Sequence, residues 1–284
     1  MPGQLTQPFS LTALLRLTRF WNLVIIGLSQ YVAAGALIDP KSVFGYRLFF
    51  LSASTILIAA AGYVINDYYD IKIDLINKPG RVVIGKSITR RYALFFHTLL
   101  SLAGVGIGIL LSWKIGLVNF ISGFLLWWYS NSLKRQPFIG NFTVALLTGL
   151  SIELVNVFFE VNNHLVTIYA IFAFFMTLVR EIIKDMEDLK GDHTFGCRTL
   201  PIIWGLRKTK VLLYGLLLVF CASVVALNYF LVGLPMRYFG VFLFLPMGWL
   251  LIKLIRADTI RDFHWLSLFC KAIMLMGIMS MAFV

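Results

Sequence analysis

Charge is scarce in this chain. Of its 284 residues 13% are charged and 60% hydrophobic, with a mean hydropathy of +0.86, a balance that excludes a soluble domain built around one core. Cysteine is limited to Cys197, Cys221 and Cys270. They are dispersed, odd in number and form no CxxC pair, so they read as buried inert thiols rather than a disulfide framework. The four histidines, His97, His164, His193 and His264, never fall within one helical turn of each other. No zinc site is expected from them. The first twenty residues, MPGQLTQPFSLTALLRLTRF, lack the short apolar core and small-residue cleavage site of a secretory signal, so the first apolar run is expected to be retained.

What is abundant is apolar sequence in long runs. Nine stretches approach the roughly 20 residues needed to cross about 30 Å of hydrocarbon: 12–37, 46–67, 92–112, 115–132, 139–158, 164–185, 210–231, 236–254 and 264–283. Lipid offers the backbone no hydrogen-bond partners, and no alternating pattern suggests a barrel. The expected fold is therefore all-α: a polytopic membrane protein with nine transmembrane helices around a central cavity, in one domain covering residues 1–284.

The formal net charge of +12 would suggest nucleic acid in a soluble protein. Here the basic residues lie in short loops between apolar spans, so topology and anionic headgroups explain them and no nucleic acid is expected. Assigning loops alternately puts twenty of the Lys and Arg residues on the side of the N-terminus and four, Lys41, Arg47, Lys114 and Arg237, on the other, with Lys271 left inside the last span. The positive-inside rule then places the N-terminus in the cytoplasm.

Carboxylates are fewer than basic residues, 13 against 25, and their distribution is uneven. Eight of the thirteen fall in two short stretches: Asp67, Asp70 and Asp74 in NDYYDIKID, and Glu181, Asp185, Glu187, Asp188 and Asp192 in REIIKDMEDLKGD. Both stretches open long cytoplasmic loops, and the motif regions run over about 66–91 and 181–209. On a helix Asn66, Asp70 and Asp74 share one face, and Glu181, Asp185, Asp188 and Asp192 share another, while Asp67 and Glu187 lie off those faces. Like charges so close repel unless a cation sits among them, and hard oxygen ligands favour Mg²⁺. Mg²⁺ takes one or two carboxylates and completes its shell with water and phosphate. Two acidic faces opposite one another thus describe two Mg²⁺ ions clamping a diphosphate. The loop NKPGRVVIGKSITRR supplies cations for the remaining oxygens, with Arg81 and Lys86 preferred because they lie nearest the acidic face.

These motifs resemble those of the UbiA-type intramembrane prenyltransferase superfamily. NDYYDIKID fits its NDxxDxxxD pattern, and DLKGD fits its second DxxxD pattern. The resemblance implies Mg²⁺-dependent transfer of a polyprenyl group from its diphosphate to a lipid-like acceptor. It implies metal binding by Asn66, Asp70 and Asp74 on one side and Asp188 and Asp192 on the other, with Asp185 as a helper. Catalysis would centre on Asp70, Asp74, Asp188 and Asp192. Arg81 occupies the place of a diphosphate contact, although the family wording RPxxSG reads RVVIGK here. Tyr129 and Lys134 stand five apart in YSNSLK instead of the family's four, so they diverge by about 140° unless the helix ends near Asn131.

The wording around both acidic motifs is similar to the digeranylgeranylglyceryl phosphate synthase branch, which implies geranylgeranyl diphosphate as donor and the hydroxyl of a prenylated glycerol phosphate as acceptor. Aromatic acceptors of quinone synthesis or haem are the alternatives within the superfamily; a cation transporter or lipid-binding protein is the alternative outside it. Arg19 and Asn22 in RLTRFWN are candidates for the acceptor's polar head. The expected location is the cell membrane, with the site facing the cytoplasm.

Overall fold

The computed structural model describes residues 10–80, 82–230 and 240–283. Their elements are helical, apart from one isolated bridge, Ile84 to Ile88, that closes the turn before the fourth helix. The expected first span is divided: α1 (Leu11–Leu17), capped by the Ser10 hydroxyl, is followed by α2 (Phe20–Leu37), and Arg19 at the break takes φ 52° in the left-handed region. This corner turns the Arg19 side chain inward.

The third helix, α3 (Tyr46–Asn77), is a single element of 32 residues. Its length of about 48 Å exceeds the hydrocarbon thickness, so NDYYDIKID is helical throughout and carries its acidic face beyond the apolar run. α4 (Arg90–Leu111), α5 (Trp113–Asn131), α6 (Ile139–Phe159) and α7 (His164–Glu187) follow. After them come the short α8 (Leu189–Thr194), α9 (Leu200–Phe230), α10 (Leu245–Arg256) and α11 (Ile260–Ser280). Most of the expected loop 186–209 is therefore helical, and α9 is interrupted only at Gly205 (φ 75°).

Seven of the described helices are long and apolar enough to cross a membrane: α2, α3, α4, α6, α7, α9 and α11. The chain is a multi-pass membrane protein, with two of the nine expected spans outside that set. In α5 the polar residues Asn119, Ser122 and Tyr129 face an internal cavity and lower its hydropathy. In α10 twelve residues cover about 18 Å, and residues 236–239 of that expected span lie outside the described residues.

α7 is the centre of the bundle, with 67% of its apolar window buried, whereas α4 has 11% buried and faces lipid. α6, α9 and α11 pack around α7, while α3, α4 and α5 form a second group. Lipid tails are as apolar as the side chains, so close packing and internal hydrogen bonds hold such helices together. Gly104 illustrates the first: a Cβ there would lie 2.9 Å from Ile58 and 3.0 Å from the Ser54 carbonyl of α3. Gln30 illustrates the second. Fully buried, it donates to Thr55 Oγ1 (3.1 Å) and the Ser151 carbonyl (2.7 Å) and accepts from Ser52 Oγ (2.8 Å), tying α2, α3 and α6 together for about 1 kcal/mol per bond.

Candidate active site

Helix periodicity puts Asn66, Asp70 and Asp74 on one face of α3, and the first two of these side chains share one cation. The Lys134 ammonium lies 2.6 Å from Asp70 Oδ1 and 3.5 Å from Asn66 Oδ1. Lys134 reaches them because α5 ends at Asn131 and a 3-10 turn, Leu133–Arg135, follows. The five-residue spacing from Tyr129 is thus absorbed by the end of the helix, and Tyr129 also lines the cavity.

The second motif is not one continuous helical face. α7 stops at Glu187, Asp188 (φ −89°, ψ 6°) forms the joint, and α8 carries Asp192. The joint turns Asp188 toward α3, where its carboxylate accepts from Lys78 Nζ at 2.7 and 2.8 Å and from Lys184 Nζ at 3.1 Å. A backbone clasp fixes this approach: Asn77 Nδ2 donates to the Asp188 carbonyl at 3.1 Å, and the Gly191 amide donates to Asn77 Oδ1 at 2.9 Å. A Cβ on Gly191 would overlap the Asn77 amide, so the glycine of DLKGD is what lets α8 close onto the end of α3.

Burial acts to raise the Asp188 carboxyl, but Lys184 and Lys78 hold it below the usual carboxylate range. At Asp192 the pull of the same two lysines is outweighed. Burial and then the Asp188 charge push it up to about 7. Burial lowers Lys78 and Lys134 from the ordinary lysine value, with Lys184 adding to the effect at Lys78 and Asp70 opposing it at Lys134.

The remaining acidic residues are distributed around this pair. Asp185 accepts from Asn141 Nδ2 at 2.9 Å. Glu181 pairs with Arg180. Glu187 meets His264 Nδ1 at 2.9 Å and lies 3.9 Å from Lys78. Asp67, off the α3 face, binds Arg19 at 3.0 Å, and the Arg19 guanidinium lies over the Tyr63 ring at 4.9 Å. Asn22 donates to the Tyr63 hydroxyl at 3.2 Å. Arg19, Asn22, Asn66, Asp70, Tyr129 and Lys184 all line one cavity, whose deeper wall is apolar and includes Ile58, Ile152, Phe172 and Met274.

Of the two preferred loop cations, Lys86 is half-buried and donates to the Pro79 carbonyl at 3.0 Å, and Arg81 lies outside the described residues. Asn77, Gly191 and Lys184 are the site residues that sequence reasoning did not single out, and Lys78 is a cation of the loop it pointed to but not one of the two it preferred. Phe124, Trp127 and Trp128 turn outward and pack on one another, so Tyr63, Tyr129, Tyr169 and Phe172 supply the aromatic lining.

Among the described residues no group of three His, Cys, Asp or Glu side chains converges to hold a metal unaided. That agrees with the donor chemistry of Mg²⁺, which takes one or two carboxylates and fills its shell from water and phosphate. The Lys134 ammonium between Asn66 and Asp70, and the two ammoniums on Asp188, show that cations are accommodated at both acidic faces. The oxygens present fit the ion.

The sequence model of the UbiA prenyltransferase family matches residues 24–277. A digeranylgeranylglyceryl phosphate synthase of Saccharolobus solfataricus is 31% identical over 278 residues, 95% of this chain and 96% of the relative. One of Methanosphaera stadtmanae is 33% identical over 243 residues, 84% of this chain and 88% of the relative. A structure solved for a study of digeranylgeranylglyceryl phosphate synthase in membranes superposes with a TM-score of 0.70 at 23% identity, covering 96% of this chain and 99% of the other. A UbiA homologue from Archaeoglobus fulgidus bound to GPP and Mg²⁺ superposes with a TM-score of 0.71 at 15% identity, covering 96% of this chain and all of the other (100%). These superpositions show the same fold.

Proposed function

We propose a substrate pair and a division of labour for this chain, which belongs to the UbiA prenyltransferase family and is a membrane prenyltransferase. The donor is geranylgeranyl diphosphate, and the acceptor is the free glycerol hydroxyl of geranylgeranylglyceryl phosphate, giving an ether lipid. Residues 1–284 act as one domain with the acidic end toward the cytoplasm, the side on which most Lys and Arg residues lie. The observation that carries the reading is the clasp from Asn77 to Asp188 and Gly191, which holds two acidic faces together at one end of the cavity.

Asn66, Asp70 and Asp74 would hold one Mg²⁺, and Asp188 and Asp192, helped by Asp185, the other. When bound, the metal neutralises the diphosphate and improves it as a leaving group. Lys134, Lys78 and Lys184, released from their carboxylates by that binding, turn their ammoniums to the diphosphate oxygens and stabilise the charge that grows on them as the allylic carbon–oxygen bond breaks. Tyr63 and Tyr129 exclude water from the allylic cation and offer it their π faces, and Tyr169 and Phe172 line the deeper part of the cavity. The acceptor oxygen bonds to the freed carbon and passes its proton to the departing diphosphate. Arg19 and Asn22 orient the acceptor's polar head, and Asp67, bound to Arg19, fixes the arginine.

Incubation of membranes with labelled geranylgeranyl diphosphate, Mg²⁺ and a panel of prenylglycerol phosphate, hydroxybenzoate, naphthoate and haem tests the reading. An ether product from the phosphorylated glycerol alone is expected. Product on an aromatic ring alone rejects the acceptor.

A further inference from the structure

Lys271 lies eleven residues into α11, about 16 Å from its start, at a depth where an ammonium in lipid is expensive and marks a functional site. It does not face lipid. Its side chain lines the same cavity as the candidate active site and donates to Asn22 Oδ1 at 3.1 Å. Helical side chains lean toward the N-terminus of their helix, which directs this ammonium toward the polar end of the cavity.

The wall formed by α7 carries donors to match. Thr177, 4% exposed, and Arg180 both line the cavity. Among the described residues, Thr177 Oγ1 and Arg180 Nε are buried without a hydrogen-bond partner. Three positions apart, they share a face of α7. Buried polar atoms are normally satisfied, and a pair left open in a cavity wall points to a ligand that completes them. With the Lys271 ammonium, they offer an anion several strong hydrogen bonds.

This second cluster lies deeper than Asp70 and Asp185 and meets the acidic face only where Arg180 pairs with Glu181. Tyr63, whose hydroxyl accepts from Asn22, lies seven residues before Asp70, about 10 Å deeper along α3. Thr177 lies eight residues before Asp185, about 12 Å deeper along α7. A diphosphate at the acidic mouth cannot fill both positions. The gap between them accommodates the reacting carbon and a glycerol unit.

We propose that Lys271, with Thr177 and Arg180, binds the phosphate monoester of the acceptor and so selects a phosphorylated over an unphosphorylated prenylglycerol. The cavity then has two anion-binding ends, an acidic, metal-dependent one for the donor diphosphate and a basic one for the acceptor phosphate. The inference rests on the acceptor reading above, and the test separates the two.

Steady-state kinetics of the full chain in lipid nanodiscs with Mg²⁺, with geranylgeranylglyceryl phosphate and geranylgeranylglycerol as alternative acceptors, provide the readout. Loss of a charge-assisted hydrogen bond in Lys271→Met should lower the ratio of kcat/KM between phosphorylated and unphosphorylated acceptor about 10- to 100-fold, leave the KM for geranylgeranyl diphosphate unmoved, and be largely restored in Lys271→Arg. Thr177→Val, which keeps the shape and removes the hydroxyl, should lower the same ratio about 3- to 10-fold and serves if the methionine variant is not recovered folded. Equal losses on both acceptors, or a raised donor KM with an unchanged acceptor ratio, overturn the role of Lys271. Failure of the unaltered protein to use the phosphorylated acceptor overturns the acceptor reading beneath it.

Discussion

Replacing Lys134 by Met should strengthen metal binding and abolish most of the turnover, a combination that a merely structural lysine would not give. The Lys134 ammonium lies 2.6 Å from Asp70 Oδ1, and its side chain is 9% exposed. A cation entering between Asn66 and Asp70 must displace it. A charge-assisted hydrogen bond is worth about 1.5–3 kcal/mol net, so its prior removal should tighten Mg²⁺ binding in the absence of diphosphate about 10- to 100-fold. The same change leaves Asp70 without its ammonium, and an uncompensated, largely buried charge costs about 3–5 kcal/mol. The variant should therefore melt well below the unaltered protein in chelator and recover most of the difference when Mg²⁺ is added. Turnover should fall about 10²- to 10³-fold, the usual loss when one donor to a developing oxyanion is removed. Isothermal titration with Mg²⁺, paired melting curves and prenyl transfer at saturating metal measure the three effects. Weaker Mg²⁺ binding in Lys134→Met, or equal melting shifts in chelator and in Mg²⁺, would refute the exchange of lysine for metal.

Other substitutions probe the rest of the site. Asp70→Asn and Asp188→Asn keep side-chain size while removing a charged ligand, and each should reduce prenyl transfer at least about 10³-fold in protein that still elutes as one species in detergent. Gly191→Ala places a methyl group against the Asn77 amide; opening that clasp should raise the Mg²⁺ concentration needed for half-maximal rate about tenfold, and unchanged metal dependence would show that the clasp does not position Asp192. Asp192, raised to about 7 by burial and by Asp188, binds a proton in the folded state that the unfolded chain has already released. The stability it contributes is complete below the ordinary aspartate value and is lost as pH rises through about 7. On the proposed role of Asp192 as a metal ligand, binding expels that proton, so Mg²⁺ affinity should increase from about pH 6 to about pH 8, with a flatter dependence in Asp192→Asn measured by titration at each pH.

The acidic residues were legible in the sequence because helical spacing alone aligns Asn66, Asp70 and Asp74, and α3 proved to be one uninterrupted helix through all three. The second motif was legible in composition but less so in shape. Its spacings predict a single helical face over Glu181 to Asp192, yet the chain breaks at Asp188, and nothing in the periodicity of a four-three-four pattern announces a joint. Lysines were read least well. Lys78 meets Asp188 across 110 positions of sequence, and in a loop with several Lys and Arg residues local pattern cannot say which one turns inward. Asn77 and Gly191 carried a signal of their own, an amide at the end of a long helix and a glycine inside an acidic repeat, but each has meaning only once the other is beside it.

Cavity charge in this protein is arranged so that the ligand-free state is tolerable and the ligand-bound state is better. Asp67 is held by Arg19, Asp70 by Lys134, Asp188 by Lys78 and Lys184, and Glu181 by Arg180, so these groups are not left alone in a cleft between apolar helices, where an isolated charge would cost several kcal/mol. Asp192 keeps its proton instead, up to about pH 7. On the proposed roles, the carboxylates would exchange these partners for Mg²⁺ and the lysines would exchange theirs for the diphosphate, so that pairing is conserved. On these proposed roles, an acidic site without built-in lysines would bind metal more tightly and transfer prenyl groups more slowly, because the lysines that pair with the carboxylates are the ones assigned to the leaving diphosphate.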